Sequence, residues 1–357
     1  MTITRSVSKR PAHSGFSRSR RTLLQAFPLA AFTPALLAQA GPTPVAVRKL
    51  HSFNIRVSDV ARSVAFYQDI FGAPIQARQG DTVVLRIGPG PRFFSISPTA
   101  AGEQPGFTHI GLSVADFELE RVRSELEGFG IARGAATLAD TEGLSRAQRS
   151  WVRSRGATQE LFFADIEGIT YQLSPEDHCG GGGPLGTVCS AVEPAGNAGL
   201  FRLVDLSHFT NFLANNGRAN SFYTRAFGKQ FQAYQGPASP VIGVGDGIQF
   251  LMYVGGNQEG APTQPGRIDH VCFSIEEFEV DAILAQLTDY GLTGRDSGNN
   301  APPLSHWVSL RMPNRGGVEG GTPEVYFSDP DGIHIQVQDA RYCGGGGYLG
   351  DDCPALP

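Results

Sequence analysis

The sequence predicts an α+β protein of two tandem domains, each a pair of βαβββ modules. Three observations carry this reading. The run CGGGGPLGTVC at 179–189 recurs as CGGGGYLGDDC at 343–353. The segments ahead of it recur in the same order, at offsets of 156 to 164 residues. Inside each half, a strand-like opening runs into a helical segment stopped by glycine, and alternating strands follow.

The elements can be taken in order. LHSFNIRVSDVARSVAFYQDIFGAPI (50–75) answers LSHFTNFLANNGRANSFYTRAFGKQF (206–231). After His51, apolar positions at 60, 64, 67, 70 and 71 recur at helical spacing, and Gly72 ends the helix, as Gly228 does in the second copy. DTVVLRIG and RFFSISP alternate as strands of a half-buried sheet. FTHIGLSVADF (107–117) answers IDHVCFSIEEF (268–278), and an amphipathic helix, FELERVRSELEGFGI, follows the first of these. SWVRSR (150–155) answers HWVSLR (306–311), so both tryptophans hold matching places. ELFFADIEGITYQL (160–173) answers EVYFSDPDGIHIQV (324–337). The modules are therefore 48–101, 106–178, 202–256 and 266–342, in domains 41–190 and 191–357. A repeat of this length also raises solenoids and propellers, but a helix in every unit argues against both.

Residues 1–40 read as an export signal outside the fold. Arg20-Arg21 precedes a mostly apolar run that closes on Ala38-Gln39-Ala40, an A-x-A cleavage site. The segment resembles a twin-arginine signal, with Leu23 and Gln25 as departures and an ordinary Sec signal as the alternative. Pro28, Pro34 and Gln25 interrupt the run short of the roughly twenty residues that a span needs. The expectation is a periplasmic or secreted chain without a membrane anchor, carried out by the twin-arginine translocase. Six of the 29 Lys+Arg lie in this segment and no acid does, so processing leaves a net charge of −11. That charge argues against nucleic acid and anionic membranes as partners.

Five cysteines in an exported chain point to disulfides. Cys179/Cys189 and Cys343/Cys353 have identical spacing and read as two local bridges, with a four-cysteine metal site as the alternative. Cys272 is left over. The glycine runs lack the Lys-Ser/Thr of a phosphate cradle. They instead permit positive φ where the chain leaves the last strand of each half, and the closing cysteine pins the excursion. Such a staple contributes roughly 2–3 kcal/mol by chain entropy.

With these motifs in view, the chain resembles the vicinal oxygen chelate superfamily of glyoxalases, bleomycin-resistance proteins and extradiol dioxygenases. Phe-Tyr-x-x-x-Phe-Gly (66–72 and 222–228) and Asp-Pro-Asp-Gly (329–332) carry the likeness, which covers nearly all of the chain after residue 40. Four modules make it similar to the two-domain extradiol enzymes. The resemblance implies that each module pair forms a curved, mostly antiparallel half-barrel sheet with outer helices and a metal on its concave face. It also implies ligand positions, a histidine on the opening strand of each unit and a glutamate on the last. Those places hold His208, His270 and Gln336 in the second half, and His51, His109 and Gln172 in the first. Two imidazoles and an oxygen donor suit Fe(II) or Mn(II). Each histidine also has a plainer reading, as a strand residue bonded to a neighbour. Both copies write Gln for the family's Glu. An amide oxygen coordinates without neutralising charge, so the metal is held more weakly or has been lost.

The extradiol signature is met from Val325 to Gly332 and departs at Gln336. The resemblance makes Tyr326 a hydrogen-bond partner of a substrate oxygen. Phe162 stands at its place in the first half, which favours the second half as the active one. The family's acid–base histidine is unmatched, Tyr253 being the nearest polar group. His334 shares a strand face with Gln336 and is the candidate substitute, a barrel-lining role being the alternative. Trp307 and Arg311 are candidate substrate-binding groups; Arg311, like Arg155, has surface ion pairing as its other reading. The expected function is that of an exported metal-dependent, dioxygenase-like enzyme acting on a small aromatic or vicinal-dioxygen compound. A binding protein of bleomycin-resistance type and a glyoxalase-type lyase or isomerase are the alternatives.

Overall fold

The duplication in the sequence is a duplication of sheets. The computed structural model describes residues 41–236, 239–245, 248–256 and 262–354, so the expected export signal lies outside the described residues. In the first half the order is β1 (Val47–Val57), α1 (Val60–Phe71), β2 (Ile75–Gln79), β3 (Thr82–Arg86), β4 (Phe93–Pro98), β5 (Gly106–Val114), α2 (Leu119–Gly128), β6 (Ala132–Arg133), β7 (Arg149–Arg155), β8 (Thr158–Ala164) and β9 (Thr170–Ser174). The second half repeats it as β10 (Leu203–Leu213), α3 (Asn216–Ala226), β11 (Phe231–Tyr234), β12 (Pro240–Val244), β13 (Gln249–Gly255), β14 (Arg267–Ile275), α4 (Val280–Tyr290), β15 (Thr293–Gly294), β16 (Ser305–Arg311), β17 (Thr322–Ser328) and β18 (His334–Asp339).

Each half is one nine-stranded sheet, in the orders β2-β3-β4-β1-β5-β9-β8-β7-β6 and β11-β12-β13-β10-β14-β18-β17-β16-β15. The opening strands of two modules, β1 and β5, meet antiparallel at the centre, and each pairs parallel with its own module's last strand. Helix ends follow local chemistry. The Asp59 side chain accepts the Arg62 N–H at 3.0 Å, Asn215 accepts that of Arg218 at 2.9 Å, and Gly72 closes α1 at φ 59°.

Helix α1 lies on the outer, apolar face of its half-barrel sheet, where the other half meets it. Side chains alternate along β1, so Phe53 and Ile55 take the face opposite Ser52 and Asn54. On that apolar face Phe53 lies 5.6 Å from Phe209 and 5.8 Å from Phe273, ring to ring. The two sheets thus pack back to back through one shared core. From α1, Phe71 meets Phe273 at 4.9 Å and Phe66 meets Phe327 at 6.1 Å. Burying each such ring is worth about 1.5–3 kcal/mol, which draws α1 between the halves. Residues Pro42–Pro357 accordingly cluster as one compact unit.

Polar pins cross the same junction. The Tyr67 hydroxyl donates to Asp329 Oδ2 (3.1 Å) and the Tyr223 hydroxyl to Asp165 Oδ2 (2.9 Å). Asp331 accepts the Ser58 N–H and pairs with Arg62, while Glu167 accepts the Asn215 N–H and pairs with Arg218. The Phe-Tyr and Asp-Pro-Asp-Gly motifs therefore join the halves. Burial pushes the Asp165 and Asp329 carboxyls up to about 6.

Both disulfides, Cys179–Cys189 and Cys343–Cys353, form, and Cys272 is a buried free thiol. Their loops are bonded at matched points. Arg155 Nη2 donates to Gly181 O (2.9 Å) and Gln76 Nε2 to Cys179 O (2.9 Å); Arg311 Nη2 donates to Gly345 O (2.8 Å) and Gln232 Nε2 to Cys343 O (2.7 Å). Each loop ties the first module of its half to the second. Arg311 is fully buried and also bonds Glu324, which corrects its reading as a substrate group. Among the described residues, no helix is long and apolar enough to cross a membrane.

Candidate functional site

Strand register assembles the second-half site. His208 on β10 pairs with Cys272 on β14, Cys272 with Gln336 on β18, Gln336 with Tyr326 on β17, and Tyr326 with Trp307 on β16. His270 and His334 form the next row. Cross-strand partners share a face, so all seven side chains stand on the concave side. His208 Nε2 lies 3.1 Å from Gln336 Oε1, and the His208 and His270 rings are 5.7 Å apart. The His208 ring stacks on Phe250 at 4.3 Å, with Tyr342 at 5.6 Å. Burial, then the neighbouring His270, pushes its pKa well below the usual histidine value.

Asp269 orients the His270 ring. Burial raises the Asp269 carboxyl, but its bonds to His270 and Arg267 prevail and leave it at about 2. An ionised carboxylate only accepts, so His270 Nδ1–H donates to it, at 2.9 Å. Nε2, the other ring nitrogen, is buried with no hydrogen-bond partner. A cleft of about 840 Å³ opens onto His270, Tyr326, Trp307 and His334, within the usual range for small-molecule sites. Trp307 stacks on Tyr326 (5.5 Å, 2° between planes), and Tyr326 meets the edge of His270 at 5.2 Å. The Tyr326 hydroxyl donates to Glu324 Oε2 (3.4 Å), and burial followed by Glu324 pushes its pKa well up. His334 packs edge-on against Trp307 at 5.1 Å. Tyr253 is elsewhere. Its hydroxyl bonds Tyr171 at 2.7 Å, among the rings that join the halves.

A family profile described as bleomycin resistance protein-like N-terminal matches residues 49–88. The 2,2',3-trihydroxybiphenyl dioxygenase of Sphingomonas paucimobilis is 26% identical over 180 residues, 49% of this chain, and the match spans 53% of that relative. A 2,3-dioxygenase from Pseudomonas sp. KL28 superposes with a TM-score of 0.55 at 15% identity, over 83% of this chain and 93% of that one. A Mn(II)-bound glyoxalase from Novosphingobium aromaticivorans does so at 0.51 and 13%, over 82% of each chain. The fold is the vicinal oxygen chelate fold.

Within that fold, the first half departs from the ligand pattern at its opening strand. Ser52, not His51, pairs with Phe93 and Gly111, as His208 pairs with Phe250 and Cys272. LHSF and LSHF are transposed: both strands carry the same register shift here, and at the offset of 156 Ser52 aligns with His208. His51 Nε2 bonds His178 O at 2.6 Å, and burial lowers its pKa to about 3. His109, also lowered to about 3 by burial, bonds Thr108, and Gln172 keeps its place opposite Gly111. One imidazole, one amide and a serine do not make a vicinal oxygen chelate metal set, so the triad His51, His109 and Gln172 is not brought together.

The second half does fit a divalent metal. Ligands of a six-coordinate ion at about 2.1 Å stand about 3 Å apart at right angles, the spacing of His208 Nε2 and Gln336 Oε1. His270 Nε2 is the unpartnered third donor. Among the described residues no three His, Cys, Asp or Glu side chains form a metal-holding group, so the set needs the amide. Asp269 and Glu324 went unread in the sequence. Their signals were Asp269 directly before His270, and Glu160 and Glu324 matched between the copies.

Proposed function

We propose that this chain is an exported, metal-dependent enzyme of extradiol-dioxygenase type, acting on a small aromatic compound with two adjacent oxygens. The observation that carries it is His270. Its Nδ1 is held by Asp269 and its Nε2 is buried and unpaired, beside His208 and Gln336 at the end of an aromatic-walled cleft. His208, His270 and Gln336 would hold Fe(II) or Mn(II), which supplies Lewis-acid activation of adjacent oxygens and a redox route to O2. Trp307 and Tyr326 form the flat wall against which an aromatic ring stacks. The Tyr326 phenol stays protonated, and on binding it would turn its one proton from Glu324 to a substrate oxygen. His334, half-buried in the same cleft, is placed to accept a proton.

A second reading, a metal-free binder of aromatic compounds, has one observation in its favour. The His208 and Gln336 side chains satisfy one another without an ion. Anaerobic loading with Fe(II) or Mn(II), then O2-electrode measurement with catechol and 2,3-dihydroxybiphenyl, separates the two. Metal-dependent O2 uptake, lost in His270→Ala, is expected. Saturable binding without uptake, unchanged by chelation, selects the binder. For export we infer cleavage after Ala40 and passage through the twin-arginine translocase into the periplasm or beyond. A reporter fused to residues 1–40 should be exported, and Arg20→Lys/Arg21→Lys should stop it.

A further inference from the structure

The concave face of the first half has lost its metal set and yet stays open. In the second half the matching wing, β11 to β13, is filled: Ala233, Val241, Phe250, Met252 and Tyr342 pack into one buried apolar cluster. The β2–β4 wing of the first half instead borders a cavity of about 420 Å³. Register gives the reason. Asn54 pairs with Ser95 where Thr210 pairs with Met252, and Ser97 stands two residues on, where the second half has Val254. Two hydroxymethyl groups replace a methionine and a valine, so volume opens and its wall becomes able to hydrogen-bond.

That wall is a connected network. Asn54 Nδ2 donates to Ser95 Oγ at 2.9 Å and Ser97 Oγ at 2.8 Å, and Ser97 Oγ lies 3.0 Å from Thr82 Oγ1. The Thr108 hydroxyl donates to Asn54 Oδ1 at 2.9 Å and so accepts from His109 Nδ1 at 2.9 Å. A hydroxyl has one proton and two lone pairs, so these groups are oriented by one another and keep capacity for a ligand. Charge adds a sign. Arg56, Arg153 and Arg155 line the cavity against one lining carboxylate, Glu160, in a chain that is acidic overall. Glu160 pairs with Arg153 and Arg155, and Arg56 with Glu103 and Glu142. Each guanidinium has five donors, and the Arg153 side chain is 45% exposed, so donors remain for an incoming anion.

We propose that this cavity is a second ligand site, for a small hydroxyl-rich carboxylate of the sugar-acid class. Arg153 and Arg56 take the carboxylate; Ser95, Ser97, Thr108 and Gln172 take the hydroxyls. The site needs no metal and stands apart from the His270 cleft. The probe is D-glucuronate, titrated calorimetrically into the purified protein with D-glucose as the neutral control. Saturable binding of one glucuronate per chain is expected, with glucose at least about tenfold weaker. Arg153→Gln should weaken glucuronate at least about tenfold. Ser95→Met/Ser97→Val, which writes the second half's residues into the first, should abolish binding, and His270→Ala should leave it unchanged. Absence of saturable binding to the parent at millimolar glucuronate overturns the proposal, and so does loss of binding in His270→Ala. Undiminished affinity in the filled variant overturns it as well. If that variant does not fold, undiminished affinity in Arg153→Gln decides against the proposal.

Discussion

His270 owes its chemistry to the residue before it. An ionised Asp269 accepts the Nδ1–H hydrogen bond and so orients the ring, whose Nε2 is buried with no hydrogen-bond partner in the protein. Gln336 supplies the third donor without charge, so an ion bound there keeps more of its own. Gln336→Glu should therefore tighten Fe(II) or Mn(II) binding by at least about tenfold, read by competition with a chelator of known affinity. No gain would put the metal elsewhere. Arg311 illustrates a residue whose position was legible and whose role was not. The match with Arg155 marked it, but only burial shows that it holds Glu324 and the Gly345 carbonyl beneath the site. Arg311→Met leaves the Glu324 carboxylate buried without its ion-pair partner. It should cost about 3–5 kcal/mol in urea unfolding; the same change at Arg155, which is partly exposed, should cost less. Equal losses would contradict the assignment.

The turn after β17 and helix α1 form a unit only because the halves meet. The Phe-Tyr and Asp-Pro-Asp-Gly motifs could be seen as recurring marks in the chain. Their contact could not, because Tyr67 and Asp329 pair across 262 positions and leave no periodic trace. His51 turns on residue order instead. Both opening strands carry the same register shift, and at the offset of 156 Ser52, not His51, stands opposite His208, so the transposed pair puts the imidazole on the other face of the strand. The buried Asp329 makes a pH-dependent prediction. Its folded pKa of about 6 lies above the unfolded value of 3.8, so between these values the folded state binds more protons. Its contribution to stability thus falls as pH rises from about 4 to 6. Asp329→Asn removes that titration and keeps the turn's acceptor. Relative to the parent, the variant should gain roughly 2 kcal/mol on going from pH 4.5 to pH 7, measured by urea midpoints. A pH-independent difference would show that Asp329 is ionised throughout.

At the scale of the whole molecule, the module order and both disulfides could be read from the repeat alone. The back-to-back packing could not, because the apolar face of a half-buried strand does not say which sheet will cover it. Nor could the unequal fates of the two concave faces. They turn on single residues, Ser52 against His208 and Ser95 against Met252, inside copies that otherwise align. The account makes the second half the metal-dependent half and the first a ligand site without metal. Elemental analysis of the purified protein tests this most directly, on the parent, His270→Ala and His109→Ala. One Fe or Mn per chain, lost in His270→Ala and kept in His109→Ala, is the predicted result. Metal that survives His270→Ala, or a parent that takes up none after anaerobic loading, would contradict it.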